Sequence, residues 1–218
     1  EALIALCASL FAIVIWAVAA WYFGIPTSES HALIAGLSGA AIALQGGLSG
    51  INGSEWLKVL YGLILSTFLG FFSGFLLTKL TILLSRGFDR RKTNGVFKYG
   101  QILGGAAMSF MHGAQDGQKF MAIILLCLCL TNNSTITTIV PPNWLMLICS
   151  IFMGLGTLIG GKKIIKSIGM DMVKLEKYQG FSADLAGAGC LLISSAVGLP
   201  VSTTHTKTTA IMGVGAAK

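Results

Sequence analysis

The chain has 218 residues, 54% of them hydrophobic and only 11% charged, with a formal net charge of +7. A soluble domain carries about a quarter charged residues, so this composition excludes one and points to an integral membrane protein, with apolar stretches too long and too numerous for a cleaved signal peptide. The positive balance does not indicate a nucleic-acid partner, because ten of the fifteen basic residues fall in two short segments, Arg86 to Lys98 and Lys162 to Gly180, the distribution of loops retained on the cytoplasmic side of a membrane.

In chain order, residues 2 to 23 form an apolar segment of spanning length, with Trp16, Trp21 and Tyr22 suited to an interfacial belt. Gly24-Ile25-Pro26-Thr27-Ser28-Glu29-Ser30-His31 then interrupts it. Residues 32 to 44 are apolar but too short to span, as expected for half of a discontinuous or re-entrant helix, and residues 45 to 55 read as a Gly/Ser/Asn-rich loop. Residues 56 to 85 form a long span leading into the basic segment 86 to 98, which holds five Lys or Arg against one Asp and is predicted to be a cytoplasmic loop. Residues 99 to 131 are apolar at both ends, and a break is predicted at His112 to Lys119. Residues 131 to 143 carry no charge and are placed outside. Residues 144 to 161 return the chain to the inside, where the second basic segment follows; there Ile164, Ile165, Ile168 and Met172 recur at the spacing of an amphipathic surface helix. Residues 181 to 197 re-enter the membrane and end at a second interruption, Gly198-Leu199-Pro200-Val201-Ser202-Thr203-Thr204-His205.

The second interruption repeats the first: an apolar run, a Pro, a cluster of hydroxyls, a His, and a return to Ala/Gly-rich sequence. Non-helical backbone at membrane depth is tolerated only where protein buries it or a polar cavity adjoins it, so two matching breaks predict a substrate site built at a repeat interface. The five cysteines lie in apolar runs without C-x-x-C spacing and are expected to be reduced core residues. Gly-x-x-x-Gly spacing at Gly46/Gly50, Gly70/Gly74, Gly100/Gly104 and Gly156/Gly160 is read as close helix packing.

His31, His112 and His205 all sit in the predicted breaks, near Glu29, Asp116, Lys119 and Lys207. A central Asp, Lys or Arg costs roughly 2.5 to 3.5 kcal/mol on the insertion scale, so these groups must be paired, solvated or occupied by ions. Neither H-E-x-x-H nor G-x-S-x-G is present, which disfavours a metal enzyme or a serine hydrolase. What the breaks offer is oxygen, from Glu29 and Asp116, Gln115 and Gln118, and Ser28, Ser30, Ser202, Thr203 and Thr204. Hard oxygen donors suit a small cation, while hydroxyls, helix N-termini and a lysine suit an oxyanion. Together they are the chemistry of cation-coupled anion transport.

His112-Gly113-Ala114-Gln115-Asp116 resembles the H-G-A-N-D signature of the inorganic phosphate transporter (PiT) family, and Gly198 to His205 resembles its G-x-P-V-S-T-T-H signature, with Gly24 to His31 as a weaker copy. The resemblance implies an all-α polytopic membrane protein with inverted repeats and discontinuous helices. It further implies a non-enzymatic symporter of inorganic phosphate with sodium or a proton, without other cofactors; a homodimer is the candidate oligomer, and the short basic loops and lack of appended domains suit a bacterial plasma membrane. By that resemblance residues 1 to 85 are the C-terminal part of a first repeat and residues 99 to 218 a second, and a first H-G-A-N-D element is expected upstream of Glu1. It assigns Ser28, Ser30, Gln115, Ser202, Thr203 and Thr204 to phosphate, and Asp116, Glu29, Gln115 and Thr203 to the coupling cation, with Asp116 and Glu29 as sodium ligands. Gln115 replaces the family's Asn and Glu29 the first Thr of S-T-T-H, which leaves the coupling ion open and leaves sulfate as an alternative oxyanion. An uncoupled anion channel is the alternative from a different class. For Asp116 the competing role is a helix cap or an ion pair with Lys119; for the hydroxyls it is N-capping; for the three histidines, hydrogen bonding within the breaks. Asp184 is expected at the membrane interface.

Overall fold

Peptide groups in hydrocarbon must find partners within the chain, which leaves helices and closed barrels as the structures able to span. A computed structural model describes residues 1–132, 140–167, 174–199 and 201–217, and among these every regular element is a helix. The helices are α1 (Ala2–Phe23), α2 (Glu29–Gln45), α3 (Gly53–Ser85), α4 (Arg90–Asn132), α5 (Asn143–Lys166), α6 (Lys177–Val197) and α7 (Thr203–Ala216), with one 3-10 turn at Leu48–Gly50. Among the described residues five segments are long and apolar enough to cross a membrane, in α1, α3, α4, α5 and α6. With no Asp, Glu, Lys or Arg between them, residues 2 to 23 fill α1 completely.

Two expectations are corrected. The break predicted at His112 to Lys119 does not occur: α4 runs unbroken through it. The segment contains no proline, so each N–H retains its carbonyl four residues back, and the Lys119 ammonium bonds sideways to Asp116 and Ser30. The basic loop expected over 86 to 98 is also shorter, because α4 begins at Arg90 and carries the rest of that segment on its first turns. The amphipathic helix is covered only through α5, which reaches Lys166; Ile168 and Met172 lie outside the described residues.

Packing groups the chain into two units, each discontinuous in sequence: Glu1–Leu57 with Gly113–Ile164, and Lys58–His112 with Ile165–Lys218. In the first unit α1 and α2 form a hairpin. Gly36 lets the two backbones approach, since a Cβ there would lie 3.0 Å from Ile13 Cγ1 and 3.2 Å from the Ser9 carbonyl. Trp56 Nε1 donates to Ser38 Oγ at 3.2 Å, tying the start of α3 to α2.

In the second unit α6 and α7 form the equivalent hairpin, and α3 and the first part of α4 pack on it. A Cβ at Gly70, Gly74 or Gly213 would overlap atoms of the facing helix: Thr209 for Gly70, the Ala210 backbone for Gly74 and the Phe71 backbone for Gly213. The Gly70/Gly74 pair therefore does what its spacing suggests, and so does Gly100/Gly104 against Phe181 and Asp184. Gly46 instead closes α2 in a left-handed conformation, φ 66°, and a Cβ at Gly156 would meet no atom within 4 Å. Met108, Ala188, Leu191 and Val201 form one buried cluster and Ala183, Ile211 and Val214 another. Polar side chains cross-link the same faces: Ser73 Oγ lies 3.1 Å from Cys190 Sγ and Thr81 Oγ1 lies 3.1 Å from Ser182 Oγ. All five cysteines are free, but only Cys190 is a core residue, and Cys7 is exposed, where the sequence reading placed all five inside.

Candidate functional site

The described residues of the two interruptions share their helix ends and helix starts. α1 ends at Gly24, with φ 71° and ψ 25°, and α6 at Gly198, with φ 72° and ψ 24°. That left-handed conformation is nearly strain-free only for glycine. In each case the next residue reaches back to a carbonyl of the last helical turn: Ile25 N–H donates to Ala20 O, and Leu199 N–H to Ser194 O, both at 2.9 Å. This wrap satisfies carbonyls that a helix end otherwise leaves unpaired inside a membrane.

Each following helix then starts on a serine. Ser28 Oγ accepts from His31 N–H at 3.3 Å and Ser202 Oγ from His205 N–H at 3.2 Å, while the Ser28 and Ser202 carbonyls open the helical ladders by accepting from Ala32 and Thr206 N–H, each at 3.0 Å. Both serines are buried, at 8% and 2% relative exposure, and Thr203 is buried as well. N-capping, weighed as the competing role of the hydroxyls, is thus what Ser28 and Ser202 do. It also fixes the N-termini of α2 and α7, ends that carry positive dipole charge and favour anions.

Around the first interruption, α4 brings in its polar middle. Asp116 is buried, at 2% exposure, and Lys119, one turn on, donates to Asp116 Oδ1 at 2.8 Å and to Ser30 Oγ at 2.6 Å. The ion pair with Lys119 that competed with cation binding is therefore formed. It reaches across to the hydroxyl that the sequence reading assigned to phosphate. Ser28, Glu29, Ser30, Gln115 and Asp116 all fall in the first unit; Ser202, Thr203 and Thr204 fall in the second. Among the described residues, no group of three His, Cys, Asp or Glu side chains gathers as a metal cluster.

Sequence reasoning did not find the role of Lys163. Its ammonium donates to the Tyr22 carbonyl in the last turn of α1 and lies 5.5 Å from the Trp21 ring centroid and 5.2 Å from that of Tyr22. Trp21 Nε1 in turn donates to the Gly160 carbonyl at 3.2 Å. α5 thereby holds the end of α1 just before the interruption, a contact between residues so distant in sequence that no local signal marks it. In the second unit Asp184, expected at the interface, packs against Gly104 and Gly105 of α4 and is acted on electrostatically by Lys207 of α7.

A family model described as "Phosphate transporter family" matches residues 1–87 and 81–218. The chain belongs to that family. It is 41% identical over 209 residues to a probable low-affinity inorganic phosphate transporter of Bacillus subtilis, covering 96% of this chain and 62% of that protein. A protein of the same description from Rhizobium meliloti is 37% identical over 214 residues, covering 97% and 63%. The chain thus spans less than two thirds of the length of these relatives. A sodium-dependent phosphate transporter 1-B of Danio rerio is 32% identical over 128 residues, covering 58% of this chain and 19% of that protein. A solved structure titled "The sodium-dependent phosphate transporter" matches the fold with TM-score 0.85 at 22% identity, over 98% of this chain and 70% of that one. The chain is a multi-pass helical membrane protein of a family of transporters, and the Bacillus subtilis and Rhizobium meliloti relatives are bacterial.

Proposed function

We propose that the chain forms part of a secondary transporter that moves inorganic phosphate across the bacterial plasma membrane, coupled to a cation and working by alternating access. The observation that carries this reading is the pair of interruptions with matching helix caps, each presenting a Ser-capped helix N-terminus at a buried position. A tetrahedral oxyanion fits such ends, where main-chain N–H groups and hydroxyls replace its hydration. The relatives named as inorganic phosphate transporters support phosphate over sulfate as that oxyanion.

Loop charge supports an inverted relation between the proposed repeats, residues 1 to 85 and 99 to 218. With both basic segments inside, chain order has the α1–α2 hairpin enter from the outer face and the α6–α7 hairpin from the inner face. Rocking of such repeats about a fixed site exposes it to each side in turn. Ser28, Ser30, Gln115, Ser202, Thr203 and Thr204 are proposed to receive phosphate, and Asp116 with Lys119 to set the charge beside it. Sodium is the ion in the names of the zebrafish relative and of the structural neighbour; a proton gradient is the other source of drive.

The test is uptake of radiolabelled phosphate into proteoliposomes holding the full-length protein, under an inward sodium gradient, a proton gradient or neither, with and without excess sulfate. Cation-driven accumulation that is insensitive to sulfate and lost in Asp116→Asn is expected. Equilibration without any cation dependence identifies a channel, and loss of uptake to sulfate competition identifies a sulfate permease.

A further inference from the structure

At Asp116 the place of a bound cation is filled by the chain itself. The Lys119 ammonium touches one carboxylate oxygen of Asp116 and the hydroxyl of Ser30, at 2.8 and 2.6 Å, so it links α4 to the first turn after the α1–α2 interruption. The Asp116 side chain is 3% exposed and that of Lys119 29%. The carboxylate is thus the enclosed partner, and the lysine reaches it on a flexible apolar stem. A sodium ion held by Asp116 and Ser30 would need these same oxygens in its inner shell, because hard cations bind carboxylate and hydroxyl oxygens directly. It would then lie against the ammonium, and like charges in contact repel. A carboxylate and an ammonium in contact are already neutral as a pair, so Asp116 offers no net charge to a second cation.

Resting on the phosphate-transport reading above, we propose that Lys119 is a tethered counter-cation: its ammonium occupies the cation place between Asp116 and Ser30, so that sodium does not bind there and a permanent positive charge faces the oxyanion site. On this proposal Asp116 is the partner of Lys119 and not a sodium ligand.

The measurement is equilibrium binding of radiolabelled sodium to the full-length protein purified in detergent, for the wild type, Asp116→Asn, Lys119→Asn, Lys119→Gln and the double variant Lys119→Asn/Asp116→Asn. The wild type and Asp116→Asn are expected to bind equal amounts of sodium. Lys119→Asn, or Lys119→Gln if the first does not fold, is expected to bind one further equivalent, which the double variant loses. Loss of a sodium equivalent in Asp116→Asn alone overturns the proposal, and so does a Lys119 variant that folds and binds no more sodium than the wild type. The first comparison decides even if neither Lys119 variant folds. Phosphate uptake by the same preparations tests the transport reading separately: absence of uptake under every cation gradient removes that reading and leaves the sodium count to decide the role of Lys119.

Discussion

Ser28 and Ser202 show how one side chain can serve both structure and binding. A serine N-cap is worth about 1 kcal/mol against alanine, and here each cap lies buried at the start of a helix whose N-terminus must stay defined. Ser202→Ala and Ser28→Ala are each expected to lower stability by about 1 kcal/mol, read as a shift in thermal unfolding in detergent, while Ser202→Thr, which keeps the cap oxygen, is expected to lose less. A Ser202→Ala melting curve that matches the wild type would remove the capping role. That a hydroxyl caps each helix was legible from sequence as the competing role, but not which one, since several hydroxyls follow each proline. The partner of Asp116 was legible only as an alternative: the three-residue spacing to Lys119 allows an ion pair on one helix face, but the third member, Ser30, comes from another helix.

At the scale of elements, glycines divide by the kind of constraint they meet. Gly198 needs its left-handed backbone and has open space around it, since a Cβ there would meet no atom within 4 Å. Gly198→Ala is therefore expected to cost only the backbone term, about 1 to 2 kcal/mol. Gly74 has no positive φ but lies against the Ala210 backbone, which cannot move aside like a side-chain tip. Gly74→Leu is expected to displace α7 from α3, costing at least the ~1 to 3 kcal/mol of an overpacked core, and to abolish a monodisperse peak in size-exclusion chromatography. Equal tolerance of both substitutions would contradict this division. Helix positions were readable because an apolar run between polar punctuation has few other structures open to it in a bilayer. α4 was misread because polarity alone does not break a helix: the interruptions after α1 and α6 have a left-handed glycine and a serine cap, and His112 to Lys119 has neither.

For the whole molecule, the strongest organising feature is the placement of charge. With the basic segments inside, Lys98→Cys in a cysteine-free background is expected to react with a membrane-impermeant maleimide only after permeabilisation, whereas Asn143→Cys reacts in intact cells. The reverse pattern would overturn the proposed orientation and with it the inverted relation of the two hairpins. Removing the native cysteines is expected to be tolerated, because none is disulfide-bonded and only Cys190 is buried.

By itself the sequence determined the class of the molecule, the order of its apolar segments, and the position and residue types of the interruptions after α1 and α6, while it also predicted a break in α4 that does not form. The features it determined follow from local composition and from the absence of water in hydrocarbon, which forces each segment to satisfy its own backbone. Only the tertiary structure decided which carbonyl Lys163 caps, which glycines touch facing backbone and where the Lys119 ammonium goes. Those outcomes depend on side chains from segments far apart in the chain meeting in space, and the pattern within any single segment is the same whether or not they meet.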